Sequence, residues 1–577
     1  MAPSGSASRL RFAGVSSSSM VPERTRVAIV GGGPAGLVTA IELGRRGIPC
    51  VLLEDDAGPP QFPKANATTS RTMEHFRRLG FAHEIRALGL PEDYPQDIAY
   101  FTRYAGWELA RLPGRSRGEA AAAREGARSR WPTPEPLHRV QQMYIEAVLK
   151  QHAEAHPSAR VRFGWRATRI ARVGRIIRVE ADEIASGRGH VIECDYLVGG
   201  DGPRSLVRAT LGVEYQGWAG EARDFMGGRM LAAYFRSPAF YEMVAAPRAW
   251  QYWAVNRERR GLVCAIDGAG LFVYHTQLPP GAQASEAFAR TALKQSTGRG
   301  FPLELIGIAE WTAGFTLVAE RFHDAGDDPR ILLAGDAAHL FTPTGGQGYN
   351  TAVDDASNLG WKLAAVCAGW GGPELLASYD TERRPVAQRN TGFARAMADS
   401  IGRSAIPPQL EENSPAGADS RHAVGASLLA HCKSEFDIPG IHFGVFYGDS
   451  SIVASDGSPP PPDDWHRYVP HGTPGARAPH VWLEDGISIF DRMGVDFTLL
   501  ALTDGHEADE RALAEAAENR AVPLDVLRVR SGEAREIYGA DLVLVRPDRH
   551  IAWRGNRAPE DPAALLARVT GWPANEN

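Results

Sequence analysis

The stretch RVAIVGGGPAGLVTAIELGRRGIPCVLLE, residues 26–54, decides the fold of the N-terminal region. A short apolar strand is followed by Gly31, Gly33 and Gly36 in G-x-G-x-x-G spacing, then by a helical pattern and a second strand that ends in Glu54. The first glycine permits a tight turn, the second lets a pyrophosphate approach the backbone, and the third packs the helix on the strand. Because the helix N-terminus attracts phosphate and the acid accepts ribose hydroxyls, the stretch predicts a Rossmann-like dinucleotide site.

Two later strands also end in glycine-rich loops. YLVGGDGPRSLVRATLG, residues 196–212, places Asp201 in a Gly-Asp-Gly turn, and GDAAHLFTPTGGQGYN, residues 335–350, follows the apolar run ILLA. Connections between a strand and a helix usually take about 2–6 residues, so the second loop is unusually long. One pyrophosphate needs only one such loop, and we therefore predict that the later loops hold other parts of a large ligand or a second nucleotide.

The composition excludes several classes of protein. The chain has 577 residues, a formal net charge of −6 and no basic stripe, which argues against binding to nucleic acid or to a membrane surface. The five cysteines lie far apart, without a CxxC pair or metal-ligand spacing, so we expect no metal site and a cytoplasmic location with reduced thiols. No run approaches the ~18 apolar residues of a membrane span.

Together, the segments GGGPAG, GGDGPRS and LLAGDAAHLFTPTGGQGYN resemble the three fingerprints of the single-component FAD-dependent aromatic hydroxylases, the relatives of para-hydroxybenzoate hydroxylase and phenol hydroxylase. The resemblance covers about residues 25–400 and continues more weakly to the C-terminus. Within the family, PKANATTSRTMEHFRRLG and the tail segment GSPPPPDDWHRYVPHGTPGARAPHVWL look most like bacterial chlorophenol and polyketide hydroxylases, the latter of antibiotic biosynthesis.

The resemblance implies an α/β fold with a Rossmann-like FAD-binding domain, an interleaved antiparallel-sheet substrate domain and a C-terminal thioredoxin-like domain. Composition adds a serine-rich leader that we expect to be disordered and a polar, proline-rich linker. No cysteine lies beyond Cys432, which excludes disulfide chemistry in the last domain and favours a role in packing or in a homodimer. The expected boundaries are 1–24 for the leader; 25–95, 135–212 and 318–405 for the FAD-binding domain; 96–134 and 213–317 for the substrate domain; 406–465 for the linker; and 466–577 for the thioredoxin-like domain.

The resemblance also implies the cofactor site. Asp336 would hold the ribityl chain of FAD, Pro343 would lie beside the reactive edge of the flavin, and the helix beginning near Tyr349 would direct its positive end at the N1–C2=O edge. Arg71 is expected near the FAD phosphates with Arg139 as a further phosphate partner. The full expected set is Gly31, Gly33, Pro34, Ala35, Gly36, Glu54, Arg71, Arg139, Gln142 (a ribityl contact), Asp201, Gly335, Asp336, Pro343, Gly345, Gly346, Gln347, Gly348, Tyr349 and Asn350.

The substrate side is predicted from alternating strands between residues 213 and 317, which indicate an antiparallel sheet that covers the flavin. Pocket candidates on these segments are Arg229, Tyr241, Tyr252 and Trp253. Relatives carry an acid at the position of Asn66, and an amide cannot take a phenol proton, so Asn66 could only orient the substrate. His275 aligns with a tyrosine of the relatives and could relay a proton, or it could be a histidine exposed on the strand.

The resemblance implies an FAD-dependent monooxygenase that uses NADPH or NADH and O₂ to hydroxylate a phenolic or polyketide-type aromatic substrate through a C4a-hydroperoxyflavin. Two alternatives stay open: oxygenation of a polyketide carbonyl, as in a Baeyer–Villiger reaction, and a non-catalytic flavin-binding interaction protein. Halogenation is disfavoured because WQYWAV departs from the W-x-W-x-I-P stretch that flavin halogenases carry.

Overall fold

A computed structural model of the protein describes residues 22–220, 223, 225–244, 246–326, 328–402 and 405–573. Nearly all of the predicted leader lies outside these residues, and the first strand begins at Glu23. Within the described part of the chain, no helix is both long and apolar enough to cross a membrane.

The strands, in chain order, are β1 (Glu23–Val30), β2 (Cys50–Glu54), β3 (Ile98–Phe101), β4 (Glu108–Leu112), β5 (Ala159–Phe163), β6 (Trp165–Val173), β7 (Ile176–Glu183), β8 (Arg188–Gly199), β9 (Tyr215–Trp218), β10 (Gly228–Arg236), β11 (Gln251–Val255), β12 (Arg260–Ala265), β13 (Leu271–Gln277), β14 (Glu304–Ala313), β15 (Thr316–Ala319), β16 (Ile331–Leu333), β17 (His339–Leu340), β18 (Phe497–Ala501), β19 (Leu524–Arg528), β20 (Leu542–Val545) and β21 (Ile551–Gly555).

The α-helices are α1 (Pro34–Gly44), α2 (Ser70–Leu79), α3 (Ala82–Arg86), α4 (Arg117–Ala123), α5 (Gln142–Glu154), α6 (Leu206–Thr210), α7 (Ala239–Val244), α8 (Glu286–Thr297), α9 (Gly348–Ala368), α10 (Glu374–Gly402), α11 (Pro415–Phe436), α12 (Pro439–Phe443), α13 (Ile489–Arg492), α14 (Glu507–Asn519), α15 (Gly532–Tyr538) and α16 (Pro562–Val569). Two single 3₁₀ turns, Gly335–Ala337 and Thr344–Gly346, lie in the loop between β16 and α9.

The first sheet brings the three glycine-rich loops together. Its strands β5, β2, β1, β8 and β16 run parallel, with β16 paired to β8, and the antiparallel strands β7 and β6 complete it. The carboxyl ends of parallel strands meet at one edge of a sheet, where ligands bind in folds of this kind. The loops after β1, β8 and β16 therefore open at the same edge, although they are far apart in the sequence.

The second sheet is assembled from two separate parts of the chain, as predicted for an interleaved substrate domain. Its strand order is β14-β10-β13-β12-β11-β3-β4, so β3 and β4 join strands that follow them by more than a hundred residues. Most neighbours are antiparallel, and only β11 pairs with β3 in parallel. Side chains on such strands alternate between faces, and one face is directed at the edge of the first sheet.

The C-terminal region forms the expected mixed sheet of the thioredoxin-like domain, in the order β19-β18-β20-β21, with β18 and β19 parallel. A fully buried ion cluster joins it to α9 and α10: Glu382 of α10 accepts hydrogen bonds from Arg546 (2.6 and 2.8 Å) and from Lys362 of α9 (2.7 Å). Burial acts to raise the pKa of Glu382, but the charges of Arg546 and Lys362 outweigh it and hold that pKa well below its usual value.

The segment 406–465 is not a linker, contrary to the sequence-based expectation. It contains α11, whose Leu428 and Cys432 are buried in the core of the substrate domain, and α12. The polar, proline-rich composition misled because Pro415 stands in the first turn of α11, where a proline costs no hydrogen bond, and Ser414 caps that turn. The end of α11 reaches the cavity between the two sheets.

Candidate active site

A cavity of about 1370 Å³ lies between the edge of the first sheet and the face of the second. Pockets for a single small molecule usually measure about 300–1,000 Å³, so this cavity has room for an extended ligand and a second molecule. The predicted site residues that line it are Gly31, Gly33, Pro34, Ala35, Glu54, Asn66, Gln142, Asp201, Trp253, His275, Gly335, Asp336, Pro343, Gly345, Gly346, Gly348 and Tyr349.

One end of the cavity, which we call the nucleotide end, is formed by the loop after β1 and the end of β2. Gly33 precedes α1 and has no side-chain cap, so the amides of the first turn of α1 carry no side-chain acceptor. A Cβ on Gly33 would meet no atom within 4 Å, and Gly33 therefore borders open space in the cavity. The Glu54 carboxylate accepts hydrogen bonds from the amides of Gly32 (2.5 Å) and Asp56 (3.0 Å), and burial raises its pKa.

The middle of the cavity is bordered by the turn that carries Asp336. No donor among the described residues bonds to the Asp336 carboxylate, and this carboxylate is exposed to the cavity although protein surrounds it. Burial raises the pKa of Asp336, and the charges of His339 and Lys64 offset part of that rise. Asp355 of α9 holds this turn in place, because its carboxylate accepts hydrogen bonds from the Gly335 amide (3.2 Å) and from His339 (2.6 Å).

The start of α9 also opens onto the cavity without a side-chain cap. Its N-cap residue, Gln347, donates instead to the Gly345 carbonyl (2.7 Å) and lies outside the cavity lining. Asn350 is likewise occupied, since its amide donates to the carbonyls of Ala67 (2.8 Å) and Gly346 (2.6 Å). The side chains of Gln347 and Asn350 thus hold the loop in place, so a contact with the cofactor would come from their backbone rather than from these side chains.

The opposite end, which we call the aromatic end, is formed by one row of residues across the second sheet. Ala309, Ala232, His275, Leu262 and Trp253 are paired in register from β14 to β11, and all five line the cavity. A single face of a sheet exposes every second residue of each strand, so this row is the geometric consequence of the register. The next row adds Gln251 and Cys264, with Gln251 accepting a hydrogen bond from the Trp253 indole (2.9 Å).

Three of the predicted pocket residues lie outside the cavity lining. Tyr252 is directed away from the cavity, where its hydroxyl accepts a hydrogen bond from the Ala249 amide (2.7 Å), and Tyr241 lies on α7 beside Tyr94. Arg229 is exposed and paired with Glu310 (2.6 Å). The sequence placed Arg229 and Tyr252 in the right strands, but the strand register decided which face of the sheet each side chain occupies. Tyr241 lies on a helix instead.

His275 faces the cavity from β13 and packs edge-on against the indole of Trp311. Burial lowers its pKa to about 4, so the imidazole is neutral near neutral pH. Its Nδ1 atom has no hydrogen-bond partner among the described residues. The lowered pKa makes His275 a weak base, which counts against the expected proton relay.

Three expected phosphate or packing residues lie outside the cavity lining. Arg71 is buried between α2 and the C-terminal domain, where it donates to the Asp548 carbonyl (2.7 Å) and lies 3.7 Å from Asp354. Arg139 stacks on the Trp250 ring at 3.6 Å. Gly36 packs against the first loop, as its predicted packing role requires, since a Cβ there would lie 1.9 Å from the Gly31 carbonyl oxygen.

Asp201 lines the cavity, but its carboxylate is already used. It accepts hydrogen bonds from the Ser205 hydroxyl (2.5 Å) and the Val207 amide (3.1 Å), so it stabilises the start of α6. Its expected cofactor contact therefore rests on the backbone of the Gly-Asp-Gly turn rather than on the side chain.

The structure adds cavity residues that the sequence analysis missed. Lys64 lines the nucleotide end, where its charge lowers the pKa of Asp336 and Glu146, and it is one of few lysines in the chain. Trp250 and the pair Glu435 and Phe436 line the aromatic end. Lys64 could have been found from the sequence, because it is the basic residue of the segment PKANATT that also holds Asn66. Nothing in the sequence places the end of α11 beside the second sheet.

The residues present fit an FAD molecule. The helices α1 and α9 both begin at the cavity without a side-chain cap. Uncapped amides at a helix start are ready to bind phosphate or another anionic group. The unpartnered carboxylate of Asp336 supplies an acceptor for hydroxyl groups in the middle of the cavity. The geometry therefore defines a flavin-type dinucleotide site that adjoins an aromatic pocket.

Comparison with known proteins agrees with this class. Residues 24–394 match the model of an FAD binding domain, and residues 471–573 match that of the aromatic-ring hydroxylase C-terminal domain. The chain is 32% identical to the FAD-dependent monooxygenase apdD of Emericella nidulans over 95% of its own length and 90% of the relative. It is 29% identical to a phenol 2-monooxygenase of Pseudomonas sp., covering 94% and 92% of the two chains.

Among solved structures, RebC with bound 7-carboxy-K252c is similar over 96% of this chain and 100% of that chain, with a TM-score of 0.84 and 32% identity. The chain thus belongs to the family of FAD-dependent aromatic-ring hydroxylases. It is an FAD-binding monooxygenase, and the fold predicted from the three loop motifs is confirmed.

Proposed function

We propose that this enzyme uses NADPH or NADH and O₂ to hydroxylate a phenolic, polyketide-type aromatic ring at a carbon ortho or para to its hydroxyl. The observation that supports the proposal is the single cavity that joins the glycine-rich loops to a sheet face lined with aromatic side chains. The family includes a phenol 2-monooxygenase among the relatives of this chain. When bound, FAD supplies hydride acceptance from the nicotinamide and activation of O₂ for oxygen transfer.

We assign the nucleotide end of the cavity to the adenosine and pyrophosphate of FAD. The uncapped amides of α1 lie beside Gly33, which leaves room for a phosphate, and Lys64 supplies a positive charge nearby. Glu54 retains lone pairs for ribose hydroxyls beyond the two amide contacts it already makes. Asp336 and Gln142 would accept and donate hydrogen bonds along the ribityl chain.

We assign the start of α9 and the loop from Pro343 to Gly348 to the flavin ring. The positive end of α9 favours negative charge on the ring, at about 0.3–2 kcal/mol according to burial. The aromatic end would then hold the substrate against Trp253 and Leu262, with His275 as a neutral hydrogen-bond partner. Its apolar walls would keep water away from the place of oxygen transfer.

The proposal also covers the domain boundaries and the setting of the enzyme. All five cysteines are unpaired, and four of them are buried, which agrees with a reducing cytoplasm. Residues 25–95, 135–212 and 318–405 would form the FAD-binding domain, with 96–134 and 213–317 as the substrate domain and α11 as part of the latter. A homodimer would use surfaces other than the buried ion cluster around Glu382.

The test is to measure NADPH and NADH consumption by the FAD-loaded enzyme across a panel of phenols and aromatic polyketides, with product structures and labelled O₂. We expect one phenol class to stimulate consumption and to gain one labelled oxygen on the ring. A labelled oxygen found in an ester or lactone would overturn ring hydroxylation in favour of carbonyl oxygenation. Absence of any substrate-stimulated product across the panel would overturn the choice of substrate class.

A further inference from the structure

The end of α11 brings a carboxylate into the aromatic end of the cavity. Glu435 is 3% exposed and lines the cavity, together with the adjacent Phe436. Phe436 packs edge-on against Trp250 at 5.8 Å between ring centroids, which fixes the end of α11 against the start of β11. Glu435 lies between residues 394 and 471, so neither matched family model includes it.

Two contacts hold the Glu435 side chain. Its Oε1 atom accepts a hydrogen bond from the Gly345 amide (2.8 Å), in the loop that we assign to the flavin ring. Its Oε2 atom lies 2.9 Å from Nε2 of His431, one turn earlier on α11, but the two atoms are not aligned as a hydrogen bond. On the other side of the imidazole, Nδ1 lies 3.0 Å from the hydroxyl of Ser400, an exposed residue on α10. A chain of polar groups thus leads from the cavity to the surface.

Few other groups at this end of the cavity can take a proton. The amide of Asn66 cannot, and His275 is a weak base because burial lowers its pKa to about 4. Among the other carboxylates of the cavity, Glu54 and Glu146 lie at the nucleotide end, where the charge of Glu54 raises the pKa of Glu146. The carboxylate of Asp201 is hydrogen-bonded to the start of α6, and that of Glu310 forms an ion pair with Arg229.

The groups that face Glu435 are His431 and Cys432 on its own helix and Tyr100 on β3. Burial raises the pKa of Cys432 to about 12 and that of Tyr100 well above its usual value, so neither competes as a proton acceptor near neutral pH. The charge of Arg139 offsets part of the rise in the pKa of Cys432 and adds positive charge to this region.

We propose that Glu435 is the catalytic base that accepts the proton of the bound phenol, with His431 and Ser400 as its outlet to solvent. The inference rests on the proposed phenol hydroxylation. The O–H bond of the phenol breaks, a new O–H bond forms on the Glu435 carboxylate, and the phenolate keeps the electron pair. Because Oε2 and Nε2 of His431 are close but not aligned, the carboxyl group must turn before its proton passes to Nε2, while Nδ1 releases one toward Ser400, so no redox change is involved. The bond from Gly345 fixes the carboxylate and couples it to the flavin loop.

The test compares Glu435→Gln with the parent enzyme across phenols of one ring system whose solution pKa values are lowered by halogen substituents. General base catalysis typically contributes about 10²–10⁴-fold, so we expect a loss near 10²-fold in kcat/KM for a phenol of pKa about 10. The loss should shrink steadily as the phenol becomes more acidic. Glutamine still accepts the Gly345 hydrogen bond, so anaerobic flavin reduction by NAD(P)H should change little.

The matched control is Glu146→Gln, a second buried cavity carboxylate, which lies at the nucleotide end. Whatever its effect on rate, it should be the same for every phenol in the series. An equal loss for all phenols in Glu435→Gln would overturn the role as a base and leave only a positioning role. If the parent enzyme hydroxylates no phenol, the proposed function fails first, and the inference fails with it.

A second variant covers the case in which Glu435→Gln does not fold. His431→Gln interrupts the outlet while the carboxylate remains, so turnover should become dependent on the concentration of added imidazole. Imidazole-independent turnover equal to that of the parent would exclude the outlet. Asn66→Asp offers a carboxylate across the same end of the cavity, and the double variant with Glu435→Gln should regain part of the lost rate for weakly acidic phenols.

Discussion

The nucleotide end and the aromatic end of the cavity differ in how the chain supplies their walls. At the nucleotide end, a short stretch of sequence forms the wall, since Gly31, Gly33 and Glu54 come from one βαβ unit. At the aromatic end, the wall is a row across five strands plus the tip of α11, contributed by segments from residue 232 to residue 436. A site built from backbone amides tolerates little change in the main chain, whereas a site built from side chains can be altered one residue at a time.

The largest effect should come from a comparison of two glycines of the first glycine motif, Gly33 before α1 and Gly36 within it. Gly36→Ala places a Cβ 1.9 Å from the Gly31 carbonyl oxygen, so the helix must move away from the strand, at a cost of about 3 kcal/mol or more in stability. Gly33→Ala has a φ of −77° and no neighbour within 4 Å, so the apoprotein should keep its stability while FAD affinity falls. Chemical denaturation measures the stability of the two variants, and titration with FAD measures their affinity. An equal loss of stability in Gly36→Ala and Gly33→Ala would contradict the close packing of Gly36 against Gly31.

Arg71 and Lys64 test which basic residue serves the cofactor. Arg71→Gln removes one partner from a buried charge cluster and should cost about 3 kcal/mol in unfolding free energy while FAD affinity is kept. Lys64→Gln should do the reverse, with a few-fold weaker FAD binding and little loss of stability, because an exposed charge pair is worth about 1 kcal/mol or less. Weaker FAD binding in folded Arg71→Gln would restore the original assignment of Arg71.

Asp336 provides a test in the middle of the cavity. Asp336→Ala removes the acceptor for ribityl hydroxyls, which would leave them unpaired in a closed site at about 1–3 kcal/mol. FAD affinity should therefore fall by about 5- to 150-fold, whereas Asp336→Asn, which keeps an acceptor oxygen, should lose less. Fluorescence titration of the apoprotein with FAD measures both. Parent-like affinity in the alanine variant would place the ribityl chain elsewhere.

The smallest effect is expected for His275 at the aromatic end. Because its folded pKa is lowered to about 4, the imidazole is already neutral between about pH 5 and 8, where an unperturbed histidine titrates. His275→Gln should consequently leave every inflection of the kcat/KM profile in that range in place and lower the rate by the value of one hydrogen bond, about 1 kcal/mol. A disappearing inflection would show that His275 does exchange a proton in turnover, in conflict with Glu435 as the base.

The sequence predicted the nucleotide end of the cavity better than the aromatic end. The loops after β1, β8 and β16 were recognisable because glycine spacing, strand ends and helix starts are properties of consecutive residues. Arg71 and Asn350 were assigned to the cofactor from the family resemblance. Their side chains instead bond to Asp548 and to Ala67, and such partners depend on how helices pack. Lys64 was overlooked for the same reason, although it is in the same loop as Asn66.

The sequence by itself determined the class of fold, the FAD-binding end and the family, because the backbone conformations that bind a dinucleotide are specified by local residue types. The tertiary structure alone decided which faces of β10 to β13 meet the flavin loops, since a shift of one residue in register exchanges the two faces of a strand. It also turned an apparent linker into α11, because burial of Leu428 and Cys432 against the second sheet outweighs a polar composition. Glu435 reaches the cavity only through that packing.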